Sequence, residues 1–316
     1  MSKFLVAGGA GFIGSNITDF LLSQGHSVRV LDNFCSGKEK NLEKALAAGP
    51  DRFTLIKGDI RDIPTVEKAV DGVDYVLLLA ALRTVPKSFE DPYEYNDVNI
   101  NGVLTILRAA TKFKVKRVVF SSSSSVYGDV KVFPQVETLP SNLLSPYALS
   151  KLAGEYYCKI FTETYGLETV CLRYFNIFGP RQALDDDYAV VIPKFIDCIR
   201  KDQPCPIFGD GLQSRDFTYI DNVVSANYLS AITPGVKFGI FNVACGSNIT
   251  ILHLVEALNK IFGKNIAPAF KPVRAGDIYK SHADISLISS KLGYKPLVDF
   301  DEGLKRTVEY FRGLQQ

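Results

Sequence analysis

A strand-like run, Lys3-Phe4-Leu5-Val6-Ala7, leads straight into Gly8-Gly9-Ala10-Gly11-Phe12-Ile13-Gly14, and an apolar-periodic segment follows to Leu22. Glycines at 8, 11 and 14 permit a tight turn, close approach of backbone to a pyrophosphate, and close packing of helix on strand. The helix N-terminus then faces the phosphates. A second strand-like run, Ser27 to Leu31, ends in Asp32, where a carboxylate suits an adenosine ribose. That acid repels a 2′-phosphate, so the implied cofactor is NAD rather than NADP.

Further strand-like runs cover 54–58, 75–79, 117–121 and 168–173, alternating with amphipathic stretches. Apolar runs with helices between them predict an α/β fold, a doubly wound parallel sheet of the Rossmann kind. Residues 1–175 are expected to form the NAD-binding domain. Beyond Gly179-Pro180-Arg181 the pattern loosens into Pro- and Gly-rich stretches, with helices expected at 190–201, 221–232 and 250–262. Residues 176–316 are therefore read as a smaller α/β substrate-binding domain, part of 216–246 returning to the first.

At 316 residues and 47% hydrophobic content the chain can bury a core of that size. A net charge of +2 with interspersed signs marks neither a nucleic-acid nor a membrane surface. The longest apolar runs are strand-length, and Phe4 to Ala7 is too short for a signal-peptide core, so a cytoplasmic protein is expected. Six scattered cysteines without Cys-x-x-Cys suit free thiols in a reducing compartment. His26, His253 and His282 each lack a ligand-spaced partner, so no metal site is expected.

Tyr147 and Lys151 lie at i, i+4 downstream of Ser121-Ser122-Ser123-Ser124-Ser125-Val126-Tyr127-Gly128. On a helix over 146–165 they share a face, and a cation there favours the phenolate. A free phenol ionises near pH ~10, so base chemistry near neutrality requires lowering it by a few units, each ~1.4 kcal/mol. Lys151 and the positive nicotinamide ring are expected to supply that shift together. The serines follow a strand directly, at the sheet edge where ligands bind in open α/β folds.

With these motifs the chain resembles the extended short-chain dehydrogenase/reductases, specifically the nucleotide-sugar 4-epimerases, over essentially its whole length. The likeness rests on Gly-x-x-Gly-x-x-Gly, Asp32, Gly58-Asp59-Ile60-Arg61-Asp62, Leu79-Ala80-Ala81, the serine run, Ser145-Pro146-Tyr147-Ala148-Leu149-Ser150-Lys151, and Arg173-Tyr174-Phe175-Asn176-Ile177-Phe178-Gly179-Pro180. One departure is Leu78, where the family often has histidine. The resemblance implies NAD contacts from Gly8, Gly11, Phe12, Ile13 and Gly14, from Asp32, Asn33, Asp59 and Ile60, and from Leu79, Ala80, Ala81, Asn99 and Tyr174. It assigns Ser123, Tyr147 and Lys151 to catalysis, the last two also touching NAD.

For the substrate, the resemblance implies Arg215 and Arg274 on a diphosphate, Asp277 on the uridine ribose, Phe208 stacked on uracil, and Asn176 near a phosphate. Charge alone leaves guanine and thymidine nucleotides open; a UDP-sugar fits the likeness. Related dehydratases carry an Asp-Glu pair in the serine run, and decarboxylases a Glu; here Ser124 and Ser125 line the substrate site and cannot serve as carboxylate acids or bases. A redox-neutral epimerisation remains. Ser281 stands where members restricted to UDP-glucose and UDP-galactose have tyrosine, so UDP-N-acetylglucosamine and UDP-N-acetylgalactosamine are the expected pair, with activity on the unacetylated pair. UDP-glucuronate 4-epimerisation is the nearest alternative. A net NAD-dependent dehydrogenase and a non-catalytic NAD sensor are weaker ones, since the first must release reduced cofactor and the second needs no Ser-Tyr-Lys set. Apolar residues on several faces of 97–113 and 146–165 match helices that in this family pair as a four-helix bundle, so a homodimer is expected.

Overall fold

Strands without polar alternation are stable only where both faces are covered. The computed structural model, which describes residues 1–183, 191–273 and 278–313, arranges them that way. Strands β1 (Lys3–Ala7), β2 (Ser27–Asp32), β3 (Phe53–Lys57), β4 (Tyr75–Leu78), β5 (Arg117–Ser123) and β6 (Glu168–Tyr174) lie parallel in the order β3-β2-β1-β4-β5-β6. A seventh strand, Phe238–Val243, adds in parallel beyond β6. Alternate residues feed the two faces: Phe4 and Val6 enter one core cluster, Leu5 and Ala7 the other. This is the doubly wound α/β fold. Strand order reverses between β1 and β4, which opens a crevice at their C-terminal ends.

Local chemistry sets the helix that matters most. Ser145 caps Pro146–Tyr165 by accepting the Ala148 N–H at 3.1 Å, Pro146 occupies the first turn, and Gly166 ends it at φ 72°. A Cβ at Gly154 would stand 2.4 Å from the Phe120 ring on β5. Glycine therefore lets this helix lie against the strand, which brings Tyr147 and Lys151 to the serine run. Two differences from the periodic reading appear nearby. The strand β5 runs on through Ser123, and Asp97–Asn101 form a π-helical turn before the Gly102–Lys112 helix, which turns Asn99 inward to full burial.

Short strand pairs build the second lobe: Ile177–Phe178 with Thr218–Tyr219, Ser214–Arg215 with Ile249–Thr250, and Pro206–Phe208 with Ala269–Lys271. The expected helices occur as Val191–Arg200, Ile220–Ile232 and Ile251–Phe262. Arg117 on β5, buried and paired with Glu168 at 2.6 Å, donates to the carbonyls of Ser230, Thr233 and Val236 at 2.7–2.8 Å. Those bonds fix the loop that leads into the seventh strand. No helix among the described residues is long and apolar enough to cross a membrane.

Candidate active site

The glycine turn is as tight as its spacing predicts. A Cβ on Gly14 would stand 2.2 Å from the Gly8 carbonyl oxygen and 2.7 Å from Gly9 Cα. The turn opens onto a cleft whose wall includes Gly8, Gly11, Phe12, Ile13 and Gly14. Beside β2 and β3 the wall continues with Asp32, Asn33, Asp59 and Ile60; beside β4 and β5 it continues with Leu79, Ala80, Ala81, Tyr147, Lys151 and Tyr174. Asp32 accepts the Ala10 N–H on Oδ2 and the Phe34 N–H on Oδ1, both at 2.8 Å, while burial raises its pKa. The Arg61 guanidinium holds the Asp59 carboxyl down at about 2, and Asn33 donates to its Oδ2 at 3.0 Å. Asn99 stands behind the wall: it accepts the Leu82 N–H at 2.8 Å and donates to the Leu82 carbonyl and to Ser150 Oγ. It thereby ties the loop after β4 to the helix of Tyr147 and Lys151.

At the far end, Ser123 stands by the Tyr147 hydroxyl and acts to lower its pKa. Ser123 Oγ accepts the Ser125 N–H at 3.2 Å and the Ser125 hydroxyl at 2.9 Å. Its own proton is left to give to the tyrosine oxygen, an arrangement that favours the phenolate. Burial nonetheless raises the Tyr147 pKa. The expectation that Lys151 draws it down is not met in this structure. The Lys151 ammonium donates to the Ser121 carbonyl at 2.8 Å and stays 5.8 Å from the Tyr147 ring centre, and burial pushes its pKa down to about 7. The cation that lowers Tyr147 here is Arg83, on the cleft wall. Sequence reading missed Arg83; its place just past Leu79-Ala80-Ala81, at the mouth of the crevice, is the signal that could have found it.

The predicted substrate residues form a second group. Asn176 donates to Ser281 Oγ at 3.3 Å and to the Asp216 carbonyl at 3.1 Å, and the Ser214 carbonyl accepts the Ser281 N–H at 3.1 Å. Arg215 donates to the carbonyls of Ser214 and Tyr279. Phe208 is half-buried on its strand, its carbonyl held by Gln213, with the Lys271 ammonium 5.9 Å from the ring centre. Ser124 and Ser125 lie in the 3₁₀ turn after β5. Arg274 and Asp277 lie outside the described residues. Asp216 was not anticipated: fully buried, it accepts the N–H groups of Cys245 and Ala283, and burial raises its pKa to about 7. It joins the Ser214–Arg215 strand to the segment that carries Ser281.

Residues 4–244 match the NAD dependent epimerase/dehydratase family. The chain belongs to that family. Among solved structures, this family member is similar to a UDP-N-acetylglucosamine 4-epimerase from Methanobrevibacter ruminantium in complex with UDP-N-acetylmuramic acid, at 42% identity and a TM-score of 0.94, with 99% of each chain covered. A UDP-glucuronic acid 4-epimerase from Bacillus cereus, in complex with UDP-glucuronic acid and NAD, shares 33% identity at a TM-score of 0.90 and 99% coverage of both. The UDP-glucose 4-epimerase of Mycolicibacterium smegmatis is 36% identical over 316 residues, 99% of this chain and 100% of that one.

NAD is the cofactor of this epimerase/dehydratase, and the cleft fits it. The glycine turn packs the start of the helix hard against Gly8 and Gly9 on the cleft wall, where helix N–H groups favour a pyrophosphate, and Asp32 keeps acceptor capacity on the same wall beside Asn33 and Asp59. A titration with both dinucleotides should show clear preference for NAD, because the Asp32 carboxylate repels a 2′-phosphate. Equal affinity for NADP would remove Asp32 from the ribose.

Proposed function

We propose that this protein interconverts the C4 epimers of a UDP-sugar, with UDP-N-acetylglucosamine and UDP-N-acetylgalactosamine the preferred pair and UDP-glucose and UDP-galactose accepted. The observation that carries the reading is Tyr147 beside Ser123 on the wall of an NAD cleft, with Lys151 one helical turn on. Taking and returning a hydride at the sugar carbon is the chemistry NAD supplies when bound. Tyr147, as phenolate, takes the proton of the 4-hydroxyl; Ser123 hydrogen-bonds the same oxygen and relays the proton back. Lys151 orients the nicotinamide ribose from its hold on the Ser121 carbonyl. No carboxylate stands at Ser124 or Ser125, so elimination lacks an acid or base and the oxidised sugar can only be reduced again.

Return of hydride to the opposite face requires the sugar to turn while its nucleotide stays anchored. Arg215 and Arg274 are the proposed diphosphate grips, with Asp277 on the ribose, Phe208 on the uracil and Asn176 near a phosphate. The reading is tested by incubating the purified protein separately with UDP-N-acetylglucosamine, UDP-glucose and UDP-glucuronate and resolving the epimers by chromatography. No conversion of any of the three sinks it. Net accumulation of reduced cofactor in the absorbance spectrum would favour a dehydrogenase instead.

Sugar choice is assigned to Ser281, a small, buried side chain against Asn176. In Ser281→Tyr a ring would take the space beside the sugar's 2-substituent and reject acetamido sugars by overlap, while a hydroxyl at that carbon still fits. The ratio of kcat/KM for UDP-N-acetylglucosamine to that for UDP-glucose should fall by about 10-fold or more. An unchanged ratio would take Ser281 out of the sugar pocket. A homodimer is part of the same proposal: Leu149, Tyr156 and Ile160 are exposed along one helix, and Phe89 and Tyr93 are exposed in 85–96. Sedimentation at micromolar concentration reads it directly.

A further inference from the structure

Three successive serines meet three residues of one helix. Tyr147, Lys151 and Glu155 recur every fourth position of Pro146–Tyr165 and so share a face. Ser123 stands by the Tyr147 hydroxyl, Lys151 Nζ donates to the Ser121 carbonyl at 2.8 Å, and Ser122 Oγ donates to Glu155 Oε1 at 2.5 Å. The first two belong to the proton-transferring group already described. Glu155 does not: it is 2% exposed and forms no part of the cleft wall.

Its carboxylate is nevertheless held with unusual care. Arg173 on β6, directly opposite Ser122 in the strand register, donates Nε to Oε1 at 2.9 Å and Nη2 to Oε2 at 2.7 Å. The guanidinium is fixed in turn, 4.7 Å from the centre of the Tyr127 ring and bonded through Nη1 to the Glu137 carbonyl at 3.2 Å. A buried ion pair is a poor device for stability, since an apolar pair of equal volume serves as well or better. It is a good device for direction. The two-point grip leaves Glu155 one short bond to make, and that bond is to the middle serine.

We infer that Glu155 is a positioning residue that sets the register of Ser121–Ser123 against Tyr147 and Lys151. This rests on the epimerase reading above. Without the Ser122 bond, the end of β5 keeps its ladder to β6 but is tied to the helix only by the two groups that must also handle substrate and cofactor. The Ser123–Tyr147 contact then loosens, and misplacement at the reacting atoms is expensive in rate.

Ser122→Ala removes that one bond and leaves the ion pair; Glu155→Gln keeps the shape and weakens the hold on both partners. For each, kcat is measured per NAD-loaded site alongside KM for the UDP-sugar. The expected result is a fall in kcat of roughly 10- to 100-fold with KM and NAD content unchanged. A merely structural role lowers the melting temperature and the loaded fraction but leaves kcat per loaded site where it was; that outcome overturns the inference. So does a loss expressed in KM. If Glu155→Gln does not fold, Ser122→Ala decides alone. A Tyr147→Phe protein run in parallel separates the two failures: if it still epimerises, the proposed function itself falls, whereas a dead Tyr147→Phe beside a fully active Ser122→Ala removes only Glu155 from the account.

Discussion

Tyr147→Phe should abolish epimerisation while the protein keeps its NAD. The substitution removes one oxygen, leaves the ring half-buried at the cleft wall, and does not touch the glycine turn. A positioned base or acid contributes about 10²–10⁴-fold to rate, and here one oxygen has to serve in both directions of the proton transfer. The expected loss is therefore at least about 10³-fold in kcat. In the structure burial raises the phenol's pKa, so its ionisation depends on what opposes burial: the Ser123 proton, the Arg83 charge, and the positive nicotinamide when NAD is bound. Product is followed by chromatography, and NAD is released by denaturation and counted by absorbance. Turnover near wild type with a full NAD complement would mean that another group takes the sugar proton.

Gly14→Ala should produce the opposite separation, an intact proton-transfer group with nothing beside it. Its Cβ would lie 2.2 Å from the Gly8 carbonyl oxygen and 2.7 Å from Gly9 Cα, separations that atoms do not occupy. These are backbone atoms, so no side chain can swing away. Either the Phe12–Ser23 helix lifts from β1 or the turn opens, and both destroy the close approach to the pyrophosphate. Overpacking of this kind costs about 1–3 kcal/mol of stability. The larger effect is on cofactor: the protein should purify without NAD and regain little activity when it is added. Full NAD occupancy in the purified variant would show that the pyrophosphate does not lie against this turn.

The fold was legible because its signals are local. Continuous apolar runs ending in glycine or serine, and the order strand, glycine turn, helix, strand, acid, specify a parallel sheet and its crevice without long-range information. The placement of Tyr147 and Lys151 beside the serine run was legible for the same reason, since these residues fall on one helix and one strand end. What could not be read was where charge would act. Helical spacing put Lys151 on the Tyr147 face, but the Ser121 carbonyl claims its ammonium once helix and strand are packed. Arg83 lies far from Tyr147 in sequence and reaches it only through the loop that Asn99 clamps. Asp216 and Glu155 take their meaning from backbone N–H groups, a serine and an arginine brought in by tertiary contact, which no periodicity announces.

The seventh strand carries a consequence for how the molecule is made. Phe238–Val243 pairs with β6 only after the chain has left the sheet and run through the short strands from Ile177–Phe178 to Thr218–Tyr219. During synthesis, therefore, β6 emerges from the ribosome with one row of backbone N–H and C=O groups unpaired, and Arg117 waits for carbonyls that have yet to be translated. The nascent first lobe is a sheet with an open edge at the very strand that carries Arg173 and Tyr174. Closing that edge is a long-range event, slow by the entropy of the intervening loop, and it moves the open edge of the sheet from β6 to the seventh strand.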